Sequence, residues 1–207
     1  MDCKLNKRIL SFVLASLIAV LVTPVFAHDA DADDPHAHHH MVQKMMQSNV
    51  EYTAPKVSLV RDDGKFVSLS DELNDGRPVI MNFIYTTCTA VCPISSKTFE
   101  QFQDKLGDER TKVHMVSVSI DPEQDTVARL SEYAHKYHAG AQWQHYTGTT
   151  EASLATQRAF DVYRGDKMNH APVTLLRAAP GKPWLRIEGF TSADDLLHEY
   201  HKLVAVN

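Results

Sequence analysis

The period of the apolar positions changes repeatedly along residues 57–204, and each change marks an element. Val57 to Val60 and Phe66 to Leu69 flank Asp62-Asp63-Gly64, which predicts a hairpin. Pro78 precedes Val79-Ile80-Met81-Asn82-Phe83-Ile84-Tyr85, a short, nearly continuous apolar run of the kind found in a strand buried on both faces. Beyond it Ile94, Thr98, Phe102 and Leu106, with Phe99 alongside, recur at helical spacing. Val113 to Ile120 reads as the next strand. Asp121-Pro122-Glu123-Gln124 is expected to open a helix, with aspartate as cap, whose inner face is Val127, Leu130, Ala134 and Tyr137. A short helix is expected from Ala152 to Phe160. Val173 to Arg177 and Trp184 to Gly189 form strands around a Pro180-Gly181 turn. Ser192 caps a last helix carrying Leu196, Leu197, Tyr200 and Val204. No internal repeat is present. The predicted class is α/β, a central mixed sheet flanked by helices with an N-terminal hairpin.

The first 52 residues lack that patterning and divide in two. Residues 1–27 read as a secretory signal: Lys4, Lys7 and Arg8, an apolar stretch from Ile9 to Val22, then Val25-Phe26-Ala27. The stretch is short of the roughly 20 residues that span a bilayer, so export to the periplasm is expected, with an uncleaved inner-membrane anchor as the alternative. A membrane partner is expected only in that second case. Residues 28–52 are expected to form a disordered tail rich in His, Met and Asp, leaving 53–207 as the folded domain. Within the tail His36, His38, His39, His40 and Met41 form an auxiliary metal-collecting candidate, because imidazole suits copper, nickel and zinc and thioether sulfur favours Cu(I). The alternative is a solvated acidic linker.

Composition narrows the function. The 207 residues are 43% hydrophobic and 23% charged with a net charge of -5, which offers no basic excess for a nucleic-acid partner. Of three cysteines, Cys3 falls in the leader, so an exported chain keeps the even pair Cys88 and Cys92. Cys88-Thr89-Ala90-Val91-Cys92-Pro93 joins the buried strand to a helix expected to begin at Pro93, with Cys92 near its N-cap and Cys88 in the preceding loop. Backbone N–H groups and the helix dipole favour a thiolate there, the form that exchanges disulfides and binds soft metal. The pair is compatible with a disulfide, a redox couple or a two-sulfur clamp. His135 with His138, and His198 with His201, are read as solvated helix-surface pairs.

The order of strands and helices is the thioredoxin-like arrangement. Three blocks, Asn82 to Cys88 with Cys92-Pro93, Val118 to Glu123 with Asp125-Thr126, and Tyr163 to His170 leading into Val173 to Arg177, make the sequence similar to the Sco (SenC) family. These are thioredoxin-like copper-binding proteins of cytochrome c oxidase assembly, and the likeness runs from about Ala54 to Leu203. The resemblance implies one copper ion, Cu(I) or Cu(II), held by Cys88, Cys92 and His170. It also implies a copper-acceptor partner such as a cytochrome c oxidase subunit, and a thiol reductant. The family commonly has aspartate where Asn169 stands, and Pro172 occupies the position of the cis-proline of thioredoxin-type oxidoreductases. The second reading is therefore a thiol–disulfide oxidoreductase, an enzyme with Cys88 and Cys92 as its redox pair that keeps the cysteines of a cuproprotein reduced; the two roles can coexist.

Overall fold

The computed structural model describes residues 46–206. The expected leader (1–27), most of the expected tail, and its candidates His36, His38, His39, His40 and Met41 lie outside the described residues.

Thirteen regular elements follow one another: β1 (Met46–Val50), β2 (Ser58–Arg61), β3 (Phe66–Ser68), α1 (Leu69–Glu72), β4 (Val79–Ile84), α2 (Val91–Leu106), β5 (His114–Ser119), α3 (Val127–Lys136), β6 (Trp143–Thr147), α4 (Thr150–Ala159), β7 (Val173–Arg177), β8 (Trp184–Glu188) and α5 (Ala193–Ala205). The strands form one mixed sheet in the order β1-β8-β7-β4-β5-β6-β2-β3. β4 pairs in parallel with β5, and β5 with β6. Both junctions cross over through a helix, as parallel neighbours must. β7 pairs antiparallel with β4 on its other side.

Alternation along β4 sorts the core into two layers. Ile80 and Ile84 face Phe99, Phe102 and Leu106 of α2, Leu130 and Tyr133 of α3, and Leu196 and Tyr200 of α5. Val79, Met81 and Phe83 face Leu69, Leu73, Ala152 and Phe160 on the other side. Every residue of β4 and β5 is buried, as the apolar runs predict. Ser192 caps α5, its hydroxyl accepting the Asp195 N–H at 3.1 Å.

Three boundaries differ from the sequence expectation. The tail predicted to run to residue 52 gives way to sheet at Met46: β1 pairs in full with β8, from Met46 opposite Glu188 to Val50 opposite Trp184. Tyr52 then packs edge-on against Phe160 at 5.5 Å and accepts a bond from Arg186 at 2.9 Å. Backbone pairing and one aromatic anchor thus hold a segment without apolar periodicity. Helix α2 begins at Val91 rather than Pro93, because proline in the first turn forfeits only an N–H that has no intrahelical acceptor. With that start Cys92, Ser96, Phe99, Gln103 and Leu106 turn inward, and Ile94, expected inside, is 51% exposed. Helix α3 starts at Val127, capped by Thr126, whose hydroxyl accepts the Arg129 N–H at 3.3 Å. Asp121 is not the cap; its carboxylate binds Lys167. Strand β6 and the single-turn α1 were not expected.

Candidate metal centre

The loop from β4 to α2 is fixed by a carboxylate behind it. Asp125, fully buried, accepts the Thr86 N–H at 3.0 Å, the Thr86 hydroxyl at 2.5 Å and the Ser119 hydroxyl at 2.6 Å. These bonds tie the residue after Tyr85 to the end of β5, and Tyr85 O in turn accepts the Cys88 N–H at 3.1 Å. The cysteine loop therefore leaves the sheet at one defined angle.

Both cysteines are free and buried. Helix α2 has no side-chain oxygen at its N-cap, Ala90. The Cys88 sulfur takes that place, accepting the Cys92 N–H at 3.4 Å. Burial opposes ionisation of Cys88. The N–H groups of Cys92 and Ala90, with the Cys92 thiol and the Tyr85 hydroxyl, outweigh it and hold the Cys88 thiol below its ordinary range. Cys92 behaves oppositely. Burial pushes its thiol far up, reinforced by the hydrogen bond to Cys88 and by the charges of Cys88 and Asp125. Tyr85, raised to about 12 by burial and by its bond to Cys88, stays a neutral hydroxyl donor. Ionisation of the pair is thus favoured at Cys88, with Cys92 as the thiol that stays protonated beside it.

His170 follows a 3₁₀ turn, Lys167–Asn169, that is held on three sides. The Asp166 carboxylate accepts the Met168 N–H at 2.8 Å. Lys167 Nζ binds Asp121 at 2.5 Å, and the Tyr85 hydroxyl points at Met168 Sδ, 3.8 Å away. His170 itself is buried, and its Nε2 donates to Phe83 O at 3.1 Å. Burial holds the imidazole below its ordinary pKa of 6.5, hence neutral. With the proton on Nε2, the lone pair is on Nδ1. The orienting partner that Asn169 does not provide is thus a strand carbonyl, which fixes the tautomer as an outer partner of a metal ligand would.

The structure brings Cys88 and Cys92 together and places His170 nearby in the fold, but not on the same cluster. Among the described residues no three His, Cys, Asp or Glu side chains converge as a ligand set. His170 lines a cavity of about 60 Å³ with Ile120, Gln157, Tyr163, Arg164 and Lys167, and neither cysteine lines it. His135 and His138 lie on the surface as expected, His138 bonded to Glu100 at 2.8 Å. The roles of Tyr85, Asp125, Lys167 and Met168 were missed from sequence. The one signal for Asp125 was its place in the Asp121-to-Thr126 block.

The donor chemistry fits a soft ion: two cysteine sulfurs, one favoured to ionise, a neutral imidazole within the same region and, among the described residues, no surrounding carboxylate cage. The SCO1/SenC family model matches residues 39–205. The chain belongs to this family. Its fold is accordingly thioredoxin-like. Among relatives, this family member is 29% identical over 112 residues to the SCO1 protein homolog of Bacillus subtilis, which covers 54% of the chain and 57% of that protein. It is 33% identical over 107 residues to the mitochondrial SCO1 homolog 1 of Arabidopsis thaliana, covering 51% of the chain and 31% of that protein. The chain thus matches just over half of the first relative and about a third of the second. Arabidopsis thaliana ScoI, solved with copper bound, superposes with a TM-score of 0.62 at 26% identity over 74% of this chain and 99% of that one. BsSco, described as having a disulfide switch and as a member of the Sco family of cytochrome c oxidase assembly proteins, gives 0.63 at 23% over 78% and 99%.

Proposed function

We propose that this protein is a copper chaperone, exported to the periplasm, which binds one copper ion through Cys88 and Cys92 with His170 as the distal donor. It hands the ion to a cytochrome c oxidase subunit or another cuproprotein. The carrying observation is the buried free pair at the start of α2, with the Cys88 sulfur accepting the Cys92 N–H and so favoured to ionise first. Relatives support it, one of them solved with copper. Copper is cargo here: Cu(I) meets Cys88, the sulfur that ionises more readily, first, and Cys92 joins by giving its proton to solvent, so loading releases protons. For His170 to add Nδ1, the turn Lys167–Asn169 must shift toward the sulfurs, while Phe83 O holds the Nε2 proton. The tail, with His36, His38, His39, His40 and Met41, serves as a lower-affinity collector.

One observation favours a second reading. A lowered Cys88 beside a raised Cys92 is also the asymmetry of a dithiol that attacks disulfides, with Cys88 as nucleophile and Cys92 as resolving thiol. The two readings separate in a Cu(I) titration of the reduced full chain against a chromogenic chelator. Chaperoning requires that Cys88→Ser abolish tight uptake and His170→Ala weaken it. Uptake insensitive to both changes, with fast exchange of the wild-type pair against a model disulfide, would leave the redox reading standing alone.

A further inference from the structure

Methionine is an unusual residue to leave in water, and four methionines fall among the described residues. Met81 and Met115 are fully buried in the core, and Met46 lies on the outer strand. Met168 is 73% exposed, yet its sulfur is not unengaged: it receives the Tyr85 hydroxyl at 3.8 Å. The same hydroxyl also neighbours the Cys88 sulfur and favours its ionised form. One phenol oxygen therefore borders both a cysteine sulfur and a thioether. Lys167 Nζ, anchored on Asp121 and 5.7 Å from the centre of the Tyr85 ring, borders the same spot.

We propose that Met168 supplies a third sulfur donor for Cu(I), alongside Cys88 and Cys92, at the solvent-facing mouth of the site. The proposal rests on the copper reading above and adds a ligand to it. His170, bonded through Nε2 to the Phe83 carbonyl, reaches the pair only when its turn shifts, and among the described residues no third His, Cys, Asp or Glu converges on the pair. The Met168 thioether, which shares the Tyr85 hydroxyl with Cys88, is a further soft donor beside the pair. It carries no proton to lose, so it binds at any pH, and it prefers Cu(I) over harder ions. Three torsions let the side chain swing inward once the Tyr85 hydroxyl gives way. No core packing opposes that swing, because the residue is exposed. An exchangeable ligand at the mouth lets the ion be received and passed on without first opening the buried thiolates.

The test uses the reduced full chain and Cu(I) itself, limited to less than one equivalent and held against a Cu(I) chelator. Met168→Leu keeps the shape and removes the sulfur. It is expected to weaken Cu(I) binding about 10- to 100-fold, at least as much as losing an outer partner of a metal site, while His135→Ala leaves it unchanged. The second readout is the ¹³C methyl resonance of Met168, assigned by its disappearance in Met168→Leu, which is expected to move on Cu(I) addition. An unmoved methyl with unchanged Met168→Leu affinity, while Cys88→Ser abolishes binding, overturns the Met168 assignment and keeps the chaperone reading. If Cys88→Ser leaves binding unchanged, both fail.

Discussion

Two cysteines of identical chemistry are made unlike by their places on one helix start. Cys88 stands in front of the helix and collects N–H groups; Cys92 is inside it, buried, and donates. Thiol-directed alkylation should therefore modify Cys88 first. Its pH profile should have a midpoint below the ordinary thiol value of 9.0, with Cys92 unreactive until the fold opens. Mass mapping of singly alkylated protein checks this, and modification beginning at Cys92 would contradict it. Both residues were legible from sequence, because the four-residue spacing and the following proline lie in one stretch of chain. The supports were not. Asp125 acts on Thr86 from 39 residues away, and Phe83 O acts on His170 across 87. Which polar group a fold delivers to a given loop depends on the sheet order, and no local pattern encodes it.

At the scale of elements, apolar period located β4, β5, β7, α2, α4 and α5 within a few residues and failed where burial was polar. Strand β6 carries Gln144, His145 and Thr147, with His145 fully buried against the Trp143 ring at 5.1 Å. Neither an apolar run nor a clean alternation marks it. Strand β1 failed for the opposite reason: it is mostly exposed and held by backbone pairing. Its contribution is measurable. A chain begun at residue 53, where sequence alone would start the domain, loses the β1–β8 ladder and the Tyr52 contacts with Phe160 and Arg186. It should be less stable than one begun at residue 45 by about 2–4 kcal/mol. It should also self-associate through the bared edge of β8. Denaturant unfolding and gel filtration test both, and equal stability would return residues 46–52 to the tail.

The described residues form a mixed sheet whose two faces are covered, with the chemistry at the end where β4 passes into α2. Buried histidines give this arrangement a pH dependence. Burial holds His114 and His170 below the ordinary 6.5, so the unfolded chain binds more protons than the folded one once pH falls through that value. Their contribution to stability is complete above about pH 6.5 and is lost on acidification toward the lower native values. Unfolding free energy of the copper-free protein should fall between about pH 7.5 and about pH 5, and a flat profile would count against neutral buried imidazoles. The same neutrality keeps the His170 Nδ1 lone pair available for metal near pH 7.

Tight copper binding by Cys88 and Cys92, with only weak binding by the histidine-rich N-terminal segment, is checked most directly by titrating the full chain with Cu(I) against a chelator before and after oxidising the two cysteines. One Cu(I) should be retained per reduced chain, and oxidising the pair should abolish that tight site, leaving weaker sites the chelator strips. Equal retention by the reduced and oxidised forms would contradict tight binding by the pair.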